Sequence, residues 1–195
     1  KYRAKLSRIA AVIAGVGEIQ PPKLVALCEV ENERVIEDLL NRTRLHSFNY
    51  RYCMTESADL RGIDVALLYQ PSAFHLLYTD TLRVMPADQH ERPTRDILHV
   101  CGLVPSGDTL SVFVVHLPSR RGGVQQTSPR RCRSAQRLRQ EIEALTHDGS
   151  NRKIVIMGDF NDEYTDSSIA SALAAKKWAD APQPPSLCVL TADLK

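Results

Sequence analysis

Several features that would point directly to a function are missing from this chain of 195 residues. No run of 18 apolar residues occurs, which argues against a membrane-spanning helix. There is no strong excess of either charge: the net value of +2 excludes a nucleic-acid polycation acting through bulk charge. Cysteine is sparse and scattered. Cys28, Cys53, Cys101, Cys132 and Cys188 form no C-x-x-C pair, and an odd number cannot be fully paired within the chain. This excludes a disulfide framework or zinc ribbon and reads as reduced core or surface thiols. No G-x-S-x-G is present, and Ser119 sits in a basic loop with no base arrangement, so a serine hydrolase is a weak reading. No repeat, domain boundary or signal peptide is visible. Lys1 is not an initiator methionine, so a leader could precede it; the compartment is cytoplasmic by default and exported if one does.

What remains is ordinary globular material, 43% hydrophobic and 25% charged, and long enough for one domain. Hydrophobic spacing predicts helices over Leu6–Val16, Asn32–Thr43, Arg130–Leu145 and Ser167–Ala175. In the second of these, Val35, Ile36, Leu39 and Leu40 share a face and Asn32 can cap the start. Strands are expected over Lys23–Val30, Phe48–Thr55, Asp64–Tyr69, Phe74–Thr81, Asp96–Val104, Leu110–His116 and Lys153–Met157. The Ala-Pro-Gln-Pro-Pro stretch after Trp178 reads as loop. Strands and helices at uneven intervals point to mixed α/β and away from a strict βαβ array.

Chemistry concentrates at strand ends. Ile154–Met157 reads as a buried strand, and Gly158-Asp159-Phe160-Asn161-Asp162 follows at once. In an extended chain Asp159 and Asn161 point the same way. A carboxylate that can act as a base or hold a hard cation then sits beside an amide that can hold a phosphate oxygen. A plain turn is the alternative. Glu29 ends another apolar strand, where a carboxylate can serve a hard cation or simply favour the start of the next helix. Asp64, at the mouth of a strand, could be metal-linked, could orient a histidine, or could be a hairpin turn residue. His116 ends a strand and leads into Leu117-Pro118-Ser119-Arg120-Arg121-Gly122-Gly123; it could donate a proton to a leaving oxygen or hold a phosphate oxygen. From Arg120 to Arg139 there are seven arginines and no acidic residue. That is either a solvated helix face or a site for an anionic partner; without aromatics it is no stacking platform for single strands.

Four segments in order, Leu24–Asn32 (LVALCEVEN), Arg61–Tyr69 (RGIDVALLY), Val114–Gly123 (VVHLPSRRGG) and Ile154–Asp162 (IVIMGDFND), resemble the endonuclease/exonuclease/phosphatase superfamily with its DNase I-like fold. The resemblance covers roughly Leu6 to Trp178. It implies a four-layer sandwich of two mixed β-sheets flanked by helices, forming a single domain over 1–195, and Mg²⁺- or Mn²⁺-dependent hydrolysis of phosphate esters. It casts Glu29 as metal ligand, with Asp64 a possible support behind it. Asp159 orients or deprotonates the attacking water, Asn161 binds the scissile phosphate, and His116 contacts phosphate or leaving group. Arg120 and Arg121 supply further phosphate contacts. This chemistry needs a cation, a positioned water and a fixed phosphate, and Mg²⁺ keeps several waters, so one carboxylate ligand suffices.

The chain also departs from the family pattern. Cys28 stands where the family carries Gln before the metal Glu. No Asn-containing first strand precedes Leu6, and no histidine follows Asn161, where the family has a late Asp-His pair. The expectation is a domain truncated at both ends. Two functions compete: a metal-dependent phosphodiesterase or nuclease, and a non-catalytic module of the same fold that binds phosphate or nucleic acid. Substrate-selecting loops are expected at Leu82–Pro93 and Gly122–Pro129. The partner is a phosphate ester, nucleic acid among the options; the sequence does not fix the oligomeric state.

Overall fold

The computed structural model describes residues 1–17, 19–147, 152–177 and 186–192. Among these described residues, nine strands and three α-helices follow in the order α1 (Tyr2–Gly15), β1 (Leu24–Val30), α2 (Glu33–Asn41), β2 (Arg51–Met54), β3 (Asp64–Tyr69), β4 (His75–Leu82), β5 (Ile97–Leu103), β6 (Thr109–His116), α3 (Val124–Thr146), β7 (Lys153–Asp159), β8 (Ala175–Lys177) and β9 (Leu187–Val189). A 3-10 turn, Arg44–Phe48, precedes β2, and a π turn, Ser168–Ala172, precedes β8. The chain divides into two compact units, one of Lys1–Val115 with Arg152–Gly158, the other of His116–Asn151 with Asp159–Lys195. No helix of the described residues is long and apolar enough to cross a membrane.

Two sheets dominate, in orders β1-β3-β2 and β4-β5-β6-β7. The pairings β1/β3, β2/β3, β4/β5 and β5/β6 are all antiparallel. β3 organises the first unit because all six of its residues are buried. Alternation along a strand sends successive side chains to opposite faces. Val65, Leu67 and Tyr69 join Leu98, Val100, Val112 and Val114 in a core between the sheets. Ala66 and Leu68 join Leu6, Ala10 and Ile13 of α1 and Ile36, Leu39 and Leu40 of α2. A strand covered on both faces has no polar side, which is why Asp64–Tyr69 is a continuous apolar run after its first residue.

The expected elements are largely present, with instructive differences. Asn32 caps α2 by accepting from Val35 N at 3.2 Å. The Phe48–Thr55 strand is shorter than expected, because its start is the end of the 3-10 turn and Asn49 adopts a left-handed φ of 52°. α3 begins six residues before Arg130 and carries Pro129 within it. A proline in a helix removes one backbone bond, yet Arg131 anchors the early turns by donating to Val124 O at 3.3 Å and Thr127 Oγ1 at 2.7 Å. Most of the Gly122–Pro129 segment is therefore helix and not a variable loop. The final helix over Ser167–Ala175 is a single π turn. Ala181 to Pro185 lie outside the described residues. The expectation of a buried strand at Ile154–Met157 is corrected: β7 is last in its sheet order, none of its residues is fully buried, and Val155 is 40% exposed.

Candidate active site

In the first unit, Glu29 lies on a β-bulge. Leu27 pairs with Ala66 and Val30 with Asp64, so Cys28 and Glu29 together face the single residue Val65. The extra residue is accommodated at Glu29, whose φ of 59° is left-handed. A side chain other than glycine in that region is strained, and bulges commonly re-aim a side chain out of the pleat. The carboxylate is exposed. It offers a hard oxygen donor without a buried partner set, as suits an ion that retains waters. Cys28 turns inward, its thiol donating to Val115 O at 3.5 Å, so the position expected for a polar amide ties β1 to β6 instead.

Asp64 is a loop anchor. It is buried, and one of its oxygens accepts from Thr55 Oγ1 (2.8 Å), Ser57 N (2.9 Å) and Ser57 Oγ (2.7 Å). These bonds tie the start of β3 to the loop before it. Its pairing with Val30 sets it one register step from the Glu29 bulge.

The second unit gathers His116, Asp159 and Asn161. His116 is buried at the end of β6, and its Nε2 lies 3.8 Å from Asp159 Oδ2. Leu117 N donates to Asp159 O at 2.9 Å, holding the two chain segments in register past the strand ends. The premise that Asp159 and Asn161 project together from extended chain is corrected. β7 ends at Asp159, and Asn161 takes a left-handed φ of 52°. A local turn brings the pair together, with Asn161 N donating to Asp159 Oδ1 at 2.9 Å, a bond typical of Asp side chains two residues back. Asn161 Nδ2 donates to Leu117 O at 3.0 Å, which fixes the amide and leaves its second N–H for a ligand oxygen. The Asp159 side chain is 54% exposed. One of its oxygens is thus anchored while the other faces the histidine.

The glycine ahead of this turn is required. Gly158 has φ 130°, and a Cβ there would lie 1.9 Å from Val115 O. No side chain fits so close an approach of the two strands.

Much of the arginine run is paired with carboxylates, two of its members across the fold and two within the same helix. Arg120 Nε donates to Asn161 O at 2.8 Å and meets Asp162 Oδ1 at 3.2 Å, while its terminal nitrogen reaches Asp166 at 2.5 Å. Arg131, completely buried, places Nε 2.7 Å from Asp162 Oδ2 and donates to Pro118 O. Arg137 and Arg139 pair with Glu141 and Glu143 one helical turn on. At least four of the seven arginines therefore spend their charge on carboxylates of the chain itself. Arg120 acts as a strut holding the turn that carries Asn161, whereas Arg121 is exposed. Sequence reasoning missed Asp162, Asp166, Ser168 and Arg131 as the frame of this turn. Ser168 Oγ donates to Asp162 Oδ2 at 2.6 Å and Glu163 N to Asp166 at 2.7 Å. The available signal was the spacing of Asp162 and Asp166 behind Asn161, opposite a run of arginines without local acids.

Among the described residues no three His, Cys, Asp or Glu side chains cluster to hold a metal.

The profile of the "Endonuclease/Exonuclease/phosphatase family" matches residues 1–189. No curated protein matches the sequence. Among solved structures, the human Nocturnin catalytic domain with bound sulfate is similar at TM-score 0.66 and 21% identity, covering 87% of this chain and 62% of that one. ANGEL2, a 2',3'-cyclic phosphatase, in complex with adenosine-2',3'-vanadate, gives 0.66 and 20%, with 87% and 46% covered. D. rerio TDP2 complexed with single strand DNA product gives 0.61 and 20%, with 88% and 57% covered. The chain thus spans about half to three fifths of these neighbours. At such identities the likeness is one of fold, the DNase I-like arrangement.

Proposed function

From a chain that belongs to the endonuclease/exonuclease/phosphatase family, we infer a protein that hydrolyses phosphate diesters with a divalent metal, nucleic acid or a nucleotide ester being the substrate class. The observation that carries this reading is the turn after β7. There an exposed carboxylate, a fixed amide and a buried imidazole sit together, Asp159 anchored by Asn161 N and facing His116. Asp159 Oδ2 can orient and deprotonate a water, the second N–H of Asn161 can hold a non-bridging phosphate oxygen, and His116 can donate to phosphate or leaving oxygen. Glu29 would hold Mg²⁺ or Mn²⁺, which when bound neutralises charge on the phosphate. Arg121 would add a contact to phosphate. The neighbours solved with an adenosine vanadate and with a DNA product support the substrate class.

Cys28, whose thiol bonds to Val115 O at the position expected for a polar amide beside Glu29, favours a second reading, a phosphate-binding module without turnover. Hydrolysis of a simple phosphodiester and a simple phosphomonoester by the full-length protein, with Mg²⁺ or Mn²⁺ and then with EDTA, separates the two. Metal-dependent turnover that Asp159→Ala lowers at least 100-fold is the expected outcome. Activity unchanged by Asp159→Ala would reject the assignment, and binding without any turnover would leave the module.

A further inference from the structure

In the first unit α1 and α2 meet over a shared core, Leu6, Ala10 and Ile13 of one packing with Ile36, Leu39 and Leu40 of the other. Beside that seam their polar residues also fall at helical spacing. Arg3 and Ser7 stand one turn apart on α1, and Arg34, Asp38 and Arg42 recur every four residues along α2 and just past its end. Together with Tyr2, these side chains line a groove of about 470 Å³, within the size range of small-molecule sites. Glu33 and Glu37 of α2 lie one position back, on a different face of the helix, where their charge acts on Tyr52 of β2. Asp38 is thus the carboxylate of the groove. It is buried and already engaged: Arg42 Nε lies 2.9 Å from it, and Tyr2 Oη donates to it at 3.1 Å.

Arg3, Ser7 and Arg34 are exposed, and among the described residues no hydrogen bond or ion pair engages their side chains. Arg34 is close enough to Tyr2 of the facing helix for its charge to matter there. Burial and the bond to Asp38 push the Tyr2 hydroxyl above its ordinary value, Arg34 pulls against them, and Glu31 adds to the rise. Three guanidiniums around one neutralised carboxylate repel one another unless an anion lies between them. The excess of two positive charges is what a phosphate monoester dianion balances and a singly charged diester does not. A guanidinium takes phosphate through a bidentate fork, and the Ser7 hydroxyl is a further donor. Leu6, also in the lining, gives an apolar floor to an organic body beside the phosphate. We propose that the groove between α1 and α2 binds the terminal phosphate of a monoester, with Arg3, Ser7 and Arg34 as direct contacts and Arg42 held in place by Asp38. The site belongs wholly to the first unit and is independent of the hydrolytic reading.

Two probes in EDTA test the full-length protein: adenosine 5'-monophosphate by isothermal titration calorimetry, and vesicles of phosphatidylcholine with phosphatidic acid by co-sedimentation. Both carry a phosphate monoester, one soluble and one on a lipid. Arg34→Gln should weaken binding about tenfold and Arg3→Gln/Arg34→Gln about 100-fold. Ser7→Glu sets a carboxylate where the phosphate would sit. It should abolish binding and raise the melting temperature by pairing with the arginines, an outcome that misfolding cannot produce. Asn161→Ala, at the turn after β7, should leave the affinity unchanged. Arg34-dependent binding of the nucleotide marks a soluble monoester as the source, and Arg34-dependent sedimentation with the vesicles marks a lipid headgroup; either supports the site. Binding of both probes that Arg3→Gln/Arg34→Gln leaves within error of wild type, or no binding of either, would overturn the proposal. So would an oligonucleotide without terminal phosphate that binds more tightly than the monoester and loses that binding in Arg34→Gln, since internal diesters would then be the ligand.

Discussion

Removing the Arg131 guanidinium gives the sharpest check on how the second unit is held together. The Arg131 side chain is 0% exposed and its partner Asp162 1%, with 2.7 Å between Nε and Oδ2. Arg131→Met preserves much of the volume but strips Asp162 of its buried counter-charge. What remains is Ser168 at 2.6 Å and Arg120 at 3.2 Å, and Arg120, 38% exposed, is screened by water. The carbonyls of Pro118 and Val124 also lose a donor. Leaving one member of a buried pair uncompensated costs about 3–5 kcal/mol, set against a total stability of about 5–15 kcal/mol for a typical domain. Urea denaturation followed by circular dichroism should show a loss in that range. Arg131→Met/Asp162→Leu, which removes both charges, should lose less than the sum of the single variants by about 2 kcal/mol or more. Because Arg120 links Asp162 to the Asn161 carbonyl, turnover should fall as well. A single-variant loss under about 1 kcal/mol, or additivity within about 0.5 kcal/mol, would refute the claim that this pair frames the turn.

Two further outcomes are expected. Glu29→Gly relieves a left-handed φ of 59° and should stabilise the protein by up to about 1 kcal/mol, while abolishing the metal-dependent hydrolysis proposed above; thermal melting and activity should therefore move in opposite directions. Burial pushes the Asp96 carboxyl up, Arg83 and the Val84 N–H partly counter this, and nearby Asp64 adds to it. A carboxyl raised in the folded state binds its proton more tightly there, so its stabilising effect is complete below the ordinary value of 3.8 and is lost as pH rises through the folded value. Asp96→Asn should accordingly melt higher than wild type at pH 7, with the advantage shrinking toward pH 4; a constant difference across that range would contradict it.

Local spacing located the strand ends that carry Glu29, His116 and Asp159: the apolar runs before them place those ends within a residue or two. The arginine run was read less well, since charge compensation need not be local: Arg120 and Arg131 find Asp162 and Asp166 some 30 to 46 residues away. The start of α3 was obscured by Pro129, whose cost is offset by the bonds of Arg131, a tertiary feature invisible to helix propensity.

Hydrophobic period, glycine placement and the order of four motifs determined the family, the mixed α/β class and most element types, because those depend on which residues can share one face of one element. Three things were decided only in the folded chain: the bulge that turns Glu29 outward, the turn that folds Asn161 back onto Asp159, and the buried Arg131–Asp162 pair beneath it. Each depends on which strands become neighbours and where a distant charge comes to rest, and neither is fixed by the spacing of residues along the sequence.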